Sequence, residues 1–217
     1  MEPFTTLTAV AAPIDRPNVD TDQITPIRFL RRPRHDGYQD VLFHDLRFEA
    51  PGAERPDFIL NRAPFRNAKI LVADRNFGGG SSREQAVWAL VDYGIRCVIA
   101  VSFGDIFYNN SVKHGLLLIR QDGETAAGLR AQLHERPGAT MSVDLANQTC
   151  TAPDGSSFGF EIEAGRKRRL LLGLDEIELT LQYENKIAAF EKKFRDKRTW
   201  LFRREGSTID YINEKIS

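Results

Sequence analysis

Two hydroxyls and a guanidinium stand side by side at Ser81, Ser82 and Arg83, directly after the glycines Gly78, Gly79 and Gly80. Serine hydroxyls serve as acid–base or binding groups, and a guanidinium presents a planar fork that fits a carboxylate. The residues on either side say how these groups are carried. Lys69 to Ala73 is an apolar run of the length of a strand buried on both faces, as in a parallel sheet. From Arg83 onward the pattern predicts a helix with Ala86, Val87, Leu90 and Val91 on one face. A strand, a glycine turn and a helix N-terminus bring free backbone N–H groups and the positive end of the helix dipole to one point, which makes an anion site. The competing reading is structural, because Ser81 with Glu84, or Ser82 with Gln85, fits a capping box. Nucleotide loops fit less well. A phosphate loop needs a lysine that is absent, and both G-x-G-x-x-G and the hydrolase elbow G-x-S-x-G require glycine where Arg83 stands. A small organic anion, a carboxylate, is the ligand that remains.

Two further stretches join this one. Residues 18 to 26 read NVDTDQITP, a polar turn with Asp20, Asp22 and Thr25 able to face one site, or to fix the loop as an Asx-turn network. Residues 102 to 119 read SFGDIFYNNSVKHGLLLI. With GGGSSRE, and in this order, the three motifs resemble the small subunits of isopropylmalate isomerases, members of the aconitase superfamily, over roughly residues 4 to 200. The resemblance implies an α/β fold, the swivelling β/β/α domain of that superfamily over residues 1–165, with a C-terminal helical extension over 166–217. It implies a hydro-lyase that interconverts 2- and 3-isopropylmalate in leucine biosynthesis. In that chemistry Ser81 is the base, Arg83 acts with it, and Ser82, Asp22, Thr25, Phe29, Leu30 and Arg31 contact the small dicarboxylate substrate. It further implies a large-subunit partner carrying a [4Fe-4S] cluster, with none bound by this chain. A sister hydro-lyase acting on methylmalate or citraconate, and a non-catalytic carboxylate-binding module, remain as alternatives. The segment IRFLRRPRHD, residues 27 to 36, bears on that choice: it concentrates four arginines around Pro33, yet it departs from the common Thr-Arg-Thr-Gly run of the family at Arg34 to Gly37.

The rest of the chain must position these groups. Residues 4 to 14 predict a first strand stopped by Pro13 and Pro17, DFIL at 57 to 60 another, and RCVIAV at 96 to 101 a second buried strand. Ser102 is expected to cap a helix through Lys113, with LLLI at 116 to 119 as the strand after it. A helix over 125 to 135 leads to antiparallel strands at MSVDL and SFGFEIE. Leu179, Tyr183, Ile187, Phe190 and Phe194 then predict one amphipathic helix, and residues 186 to 204 hold eight basic and two acidic side chains.

Thirty basic residues balance thirty acidic ones, so neither nucleic acid nor membrane is expected as a partner. No run approaches the ~20 apolar residues of a membrane helix, and the expected location is the cytoplasm. Two cysteines, Cys97 in an apolar run and Cys150, are too few to hold an iron–sulfur cluster, and no histidine pair has metal-ligand spacing, so no metal ligand is expected here.

Overall fold

The computed structural model describes residues 1–202 and divides the chain into two units, Met1–Asp175 and Glu176–Ser217. In chain order the first unit contains β1 (Thr6–Ile14), α1 (Thr21–Ile24), α2 (His44–Arg47), β2 (Phe48–Ala50), β3 (Ala53–Glu54), β4 (Ile70–Ala73), α3 (Glu84–Tyr93), β5 (Cys97–Ala100), α4 (Asp105–Lys113), β6 (Leu117–Arg120), α5 (Gly123–Glu135), β7 (Thr140–Asp144), β8 (Thr149–Thr151), β9 (Ser157–Gly159) and α6 (Ala164–Leu172). Seven strands form one mixed sheet in the order β6-β5-β4-β1-β7-β8-β9. The β6 to β1 half is parallel, and the β1 to β9 half is antiparallel.

Burial follows the strand period. Leu71, Val98 and Leu118 point to one face, where Ala86 and Leu90 of α3 cover them together with Tyr38 and Leu42. Ile70, Val72, Ile99 and Leu117 point to the other, against Leu129 and Leu133 of α5 and Leu170 of α6. The runs ILVA and CVIA are buried at all four positions, as strands covered on both faces must be. Each fully buried leucine or isoleucine contributes about 1.5–3 kcal/mol.

Several expected elements take a different form. Pro13 lies within β1, paired with Val72, rather than ending it. Its missing N–H faces the β7 side, where pairing has already stopped at Val10 and Thr140, so no ladder bond is lost. DFIL is not a strand. Ile59–Asn61 is a single 3-10 turn, with Leu60 driven into the core and Asn61 donating to the carbonyls of Arg47 (2.7 Å) and Arg55 (2.9 Å). Ser102 does not cap α4, which begins after Gly104; its hydroxyl instead accepts the Asn76 N–H at 2.8 Å. The short strand β8 joins the two expected antiparallel strands.

The second unit holds α7 (Glu176–Leu181) and α8 (Glu184–Lys197), followed by a 3-10 turn over Thr199–Phe202. The expected single helix is therefore two. Thr180 returns its hydroxyl to the Glu176 carbonyl at 2.9 Å, the local bond by which threonine competes with helix continuation, and the chain turns at Tyr183. Within α8 Phe190 stacks on Phe194 with centroids 5.8 Å apart. Arg203 and Arg204, the last of the basic stretch, lie outside the described residues. The α6 segment, expected to belong to the extension, is part of the first unit through Leu170.

Candidate active site

Three loops leave the carboxyl ends of β1, β4 and β5 and are bonded to one another, main chain to main chain. The Gly78 N–H donates to the Val19 carbonyl at 2.7 Å, and the Thr21 N–H to Gly79 at 2.9 Å. On the other side Phe77 donates to Ser102, and Gly104 to Phe77, both at 3.0 Å. Carboxyl ends of parallel strands, beside the strand where sheet direction changes, are where open α/β sheets bind ligands.

The glycines make this approach possible. Gly78 has φ of +71°, and a Cβ there would lie 2.3 Å from the Phe107 ring, while a Cβ on Gly104 would lie 2.4 Å from the Gly78 carbonyl oxygen. Asn18 and Asn76, both with positive φ, face each other across the first seam, and Asn76 Nδ2 donates to Asn18 Oδ1 at 3.1 Å.

Ser81 and Ser82 stand exposed at the end of the glycine run. The helix begins at Glu84 with Arg83 as N-cap, and no side chain caps it, so the capping-box reading of either serine does not hold. Among the described residues neither serine hydroxyl has a hydrogen-bond partner, nor do the backbone N–H groups of residues 80 to 85. Two free hydroxyls beside a row of free donors at the positive end of a ten-residue helix form a site with a standing preference for negative charge.

Arg83 is mostly covered, and its Nη1 reaches both the Asp22 carboxylate and, at 3.2 Å, the Thr25 carbonyl. Asp22 also accepts the Ile27 N–H at 3.0 Å, which ties the guanidinium to the start of the arginine-rich segment. Thr25 is fully buried, and its hydroxyl donates to the Gln85 carbonyl at 3.3 Å. Thr21, which was not among the expected site residues, is also buried and donates through Oγ1 to the Ser81 carbonyl at 2.9 Å. The sequence signal for it was its place in the NVDTDQITP stretch, as the threonine before Asp22.

The four arginines of residues 27–36 separate cleanly. Arg28 pairs with Asp45, whose carboxyl that guanidinium holds below the usual range, and lies 4.7 Å over the Phe29 ring. Arg32 pairs with Asp40 at 2.8 Å, and Arg34 with Asp92 at 2.5 Å. Arg31, exposed as Arg28 and Arg34 are, is the one of the four that has no ionic or hydrogen-bond partner among the described residues. Phe29 and Leu30 are half-buried beside it, and Gln85 donates to the Leu30 carbonyl at 3.4 Å, so this segment borders the head of α3. Asp22, Thr25, Ser81 and Arg83 are thus joined in one cluster, with Phe29, Leu30 and Arg31 at its margin.

The cysteines take no part. Both are buried and unbridged, and burial pushes Cys97 well up and Cys150 to about 12. Among the described residues no group of three or more His, Cys, Asp or Glu side chains has a geometry suited to a metal ion. Neither does any described helix have the length and apolarity to cross a membrane. Clefts of about 460 Å³, near Asp15 and His134, and about 820 Å³, near Tyr108 and Arg120, contain none of residues 78 to 83.

Comparison with known proteins matches the aconitase C-terminal domain over residues 1–124 and the domain described as LeuD_N over 127–164. Residues 176–204 match the C-terminal domain of the 3-isopropylmalate dehydratase small subunit. The 3-isopropylmalate dehydratase small subunit of Paramagnetospirillum magneticum is 52% identical over 201 residues, 93% of this chain and 100% of the relative. That of Methylobacterium radiotolerans is 50% identical over 200 residues, 92% and 100%. The crystal structure of 3-isopropylmalate dehydratase from Methanocaldococcus jannaschii superposes with a TM-score of 0.60 at 26% identity, over 87% of this chain and 98% of that one.

Proposed function

Because the chain belongs to the family of 3-isopropylmalate dehydratase small subunits, we propose that it forms one wall of a hydro-lyase that interconverts 2- and 3-isopropylmalate, the other wall being supplied by a large subunit. The observation that carries this reading is the state of Ser81: exposed, released from any capping duty, and set at the head of a helix among N–H groups that have no partner among the described residues.

The difficult event in this isomerisation is removal of a proton from a carbon next to a carboxylate. A serine hydroxyl is a poor base until its alkoxide is stabilised, and donors fixed before the reaction do this without reorganising. As the alkoxide, Ser81 Oγ takes the proton while the C–O bond on the neighbouring carbon breaks, so the elements of water leave as a proton on Ser81 and a hydroxide. Return of that proton and of hydroxide to the alkene with their carbons exchanged restores the alkoxide and gives the isomer. Ser82 and the open edge of the Arg83 guanidinium hold the carboxylate next to the reacting carbon. Arg31 is the cation left for a second carboxylate, and Phe29 and Leu30 supply apolar surface for the alkyl group. Asp22 and Thr25 act mainly by holding Arg83 and the head of α3.

An iron–sulfur cluster, which the family implies, does not fit this chain: two fully buried thiols, held protonated by burial, are not a ligand set. We assign the cluster to the large subunit. A cytoplasmic setting suits two unbridged cysteines. The test is reconstitution. Isopropylmalate conversion is expected from the two chains together, saturating near equal stoichiometry, and none from this chain alone. Conversion by an iron-free sample of this chain alone would overturn the two-wall reading.

A further inference from the structure

We infer that Thr21 is a positioning residue that turns two peptide groups of the glycine–serine loop so that their N–H donors face the Ser81 hydroxyl. The inference rests on the reading of Ser81 as base. Thr21 is buried and bonds the loop twice: its backbone N–H holds the Gly79 carbonyl at 2.9 Å, and its hydroxyl holds the Ser81 carbonyl at 2.9 Å.

A trans peptide is planar, with its C=O and the following N–H pointing in opposite directions. The chain has no cis bonds here. Drawing the Gly79 and Ser81 carbonyls down onto Thr21 therefore turns the N–H groups of Gly80 and Ser82 away from it, towards the side where residues 80 to 82 are exposed. Both N–H groups are unpartnered among the described residues, as an anion site requires. The positive φ of Gly80, +91°, is the backbone twist that lets alternate carbonyls face one residue. Thr21 itself lies behind the loop and touches no reacting atom. Its effect on the reaction runs through the two peptide planes, which supply charge stabilisation where the alkoxide forms.

The test uses the reconstituted two-chain enzyme and compares Thr21→Val, which keeps the shape and the backbone N–H but loses the hydroxyl, with Thr21→Ser, which keeps the hydroxyl. The expected result is a fall in kcat of about 10- to 100-fold in Thr21→Val, with KM within about threefold of the parent and most of the kcat restored in Thr21→Ser. If valine disturbs folding, Thr21→Ala removes the same hydroxyl without adding bulk and is expected to give the same split. Unchanged kcat in a folded hydroxyl-less variant, or an equal loss in Thr21→Ser, would overturn the inference. The parent enzyme and Ser81→Ala in the same assay separate the two ideas: a fully active Ser81→Ala removes the base assignment itself, whereas a dead Ser81→Ala beside a normal Thr21→Val removes only the role of Thr21.

Discussion

Arg34 grips Asp92 through two parallel hydrogen bonds, Nη1 to Oδ2 at 2.5 Å and Nη2 to Oδ1 at 2.6 Å, and the Tyr38 N–H reaches the same carboxylate at 2.8 Å. This bidentate pair fastens the end of the arginine-rich segment to α3, the helix that Ser81 and Arg83 introduce. With Arg28 and Arg32 also paired, Arg31 is the one arginine of the segment without an ionic partner among the described residues.

Arg31→Ala is expected to raise KM for isopropylmalate about tenfold or more, with little change in melting temperature, because the side chain is exposed and has no ionic or hydrogen-bond partner among the described residues. Arg34→Ala should behave in the opposite way, lowering the melting temperature through loss of the Asp92 contact. Steady-state kinetics and thermal melts of both variants check this. Equal KM effects would remove the distinction between the two arginines.

Ser81→Ala should abolish almost all turnover while changing stability by no more than about 0.5 kcal/mol, the usual range for an exposed side chain. A helix cap would cost about 1 kcal/mol or more, but the Ser81 hydroxyl caps nothing. Urea unfolding beside an isomerase assay measures both quantities. Near-normal turnover in this variant would show that the proton is taken elsewhere.

Arg83→Lys keeps a positive charge but cannot hold the Asp22 carboxylate, the Thr25 carbonyl and a substrate carboxylate at once. Turnover and substrate affinity are both expected to fall, by about tenfold or more in kcat/KM. Kinetics indistinguishable from the parent would remove Arg83 from carboxylate binding.

Cys150 offers a pH signature. Burial raises its thiol to about 12, against ~8.5 in an unfolded chain. Between those values the unfolded chain has released a proton that the folded chain retains. The stabilising contribution is therefore complete below about pH 8.5 and is lost as pH rises towards 12, with a slope of about 1.4 kcal/mol per pH unit. Urea midpoints at pH 7.5 and 9.5 should differ less in Cys150→Ala than in the parent. Both thiols should also resist a thiol reagent at neutral pH until the chain is unfolded.

The strand, glycine turn and helix around Ser81 were legible because each signal is local: an apolar run, a glycine triplet, and an apolar stripe of period 3.6. What was not legible depends on partners distant in sequence. Pro13 ends a strand by local rules, yet it is accommodated because β7 has already parted from β1. The apolar DFIL segment resembles a strand, but Asn61 captures two carbonyls and turns it into the core. The serines could not be relieved of capping from spacing alone, since the helix start is fixed by Arg83 reaching across to Asp22. Likewise, composition and spacing left four equivalent arginines and only the family resemblance singled out Arg31; it is partners 8 to 58 positions away that set the other three apart from it.

The three site loops are stitched by main-chain atoms at Val19–Gly78, Gly79–Thr21, Phe77–Ser102 and Phe77–Gly104. A main-chain seam does not depend on which side chains its residues carry, so long as the glycines remain. If residues 28 to 32 face the substrate as proposed, substrate preference is open to change by replacing their side chains while the main-chain seam stays assembled, both for natural drift among related acids and for a designer who grafts that segment alone.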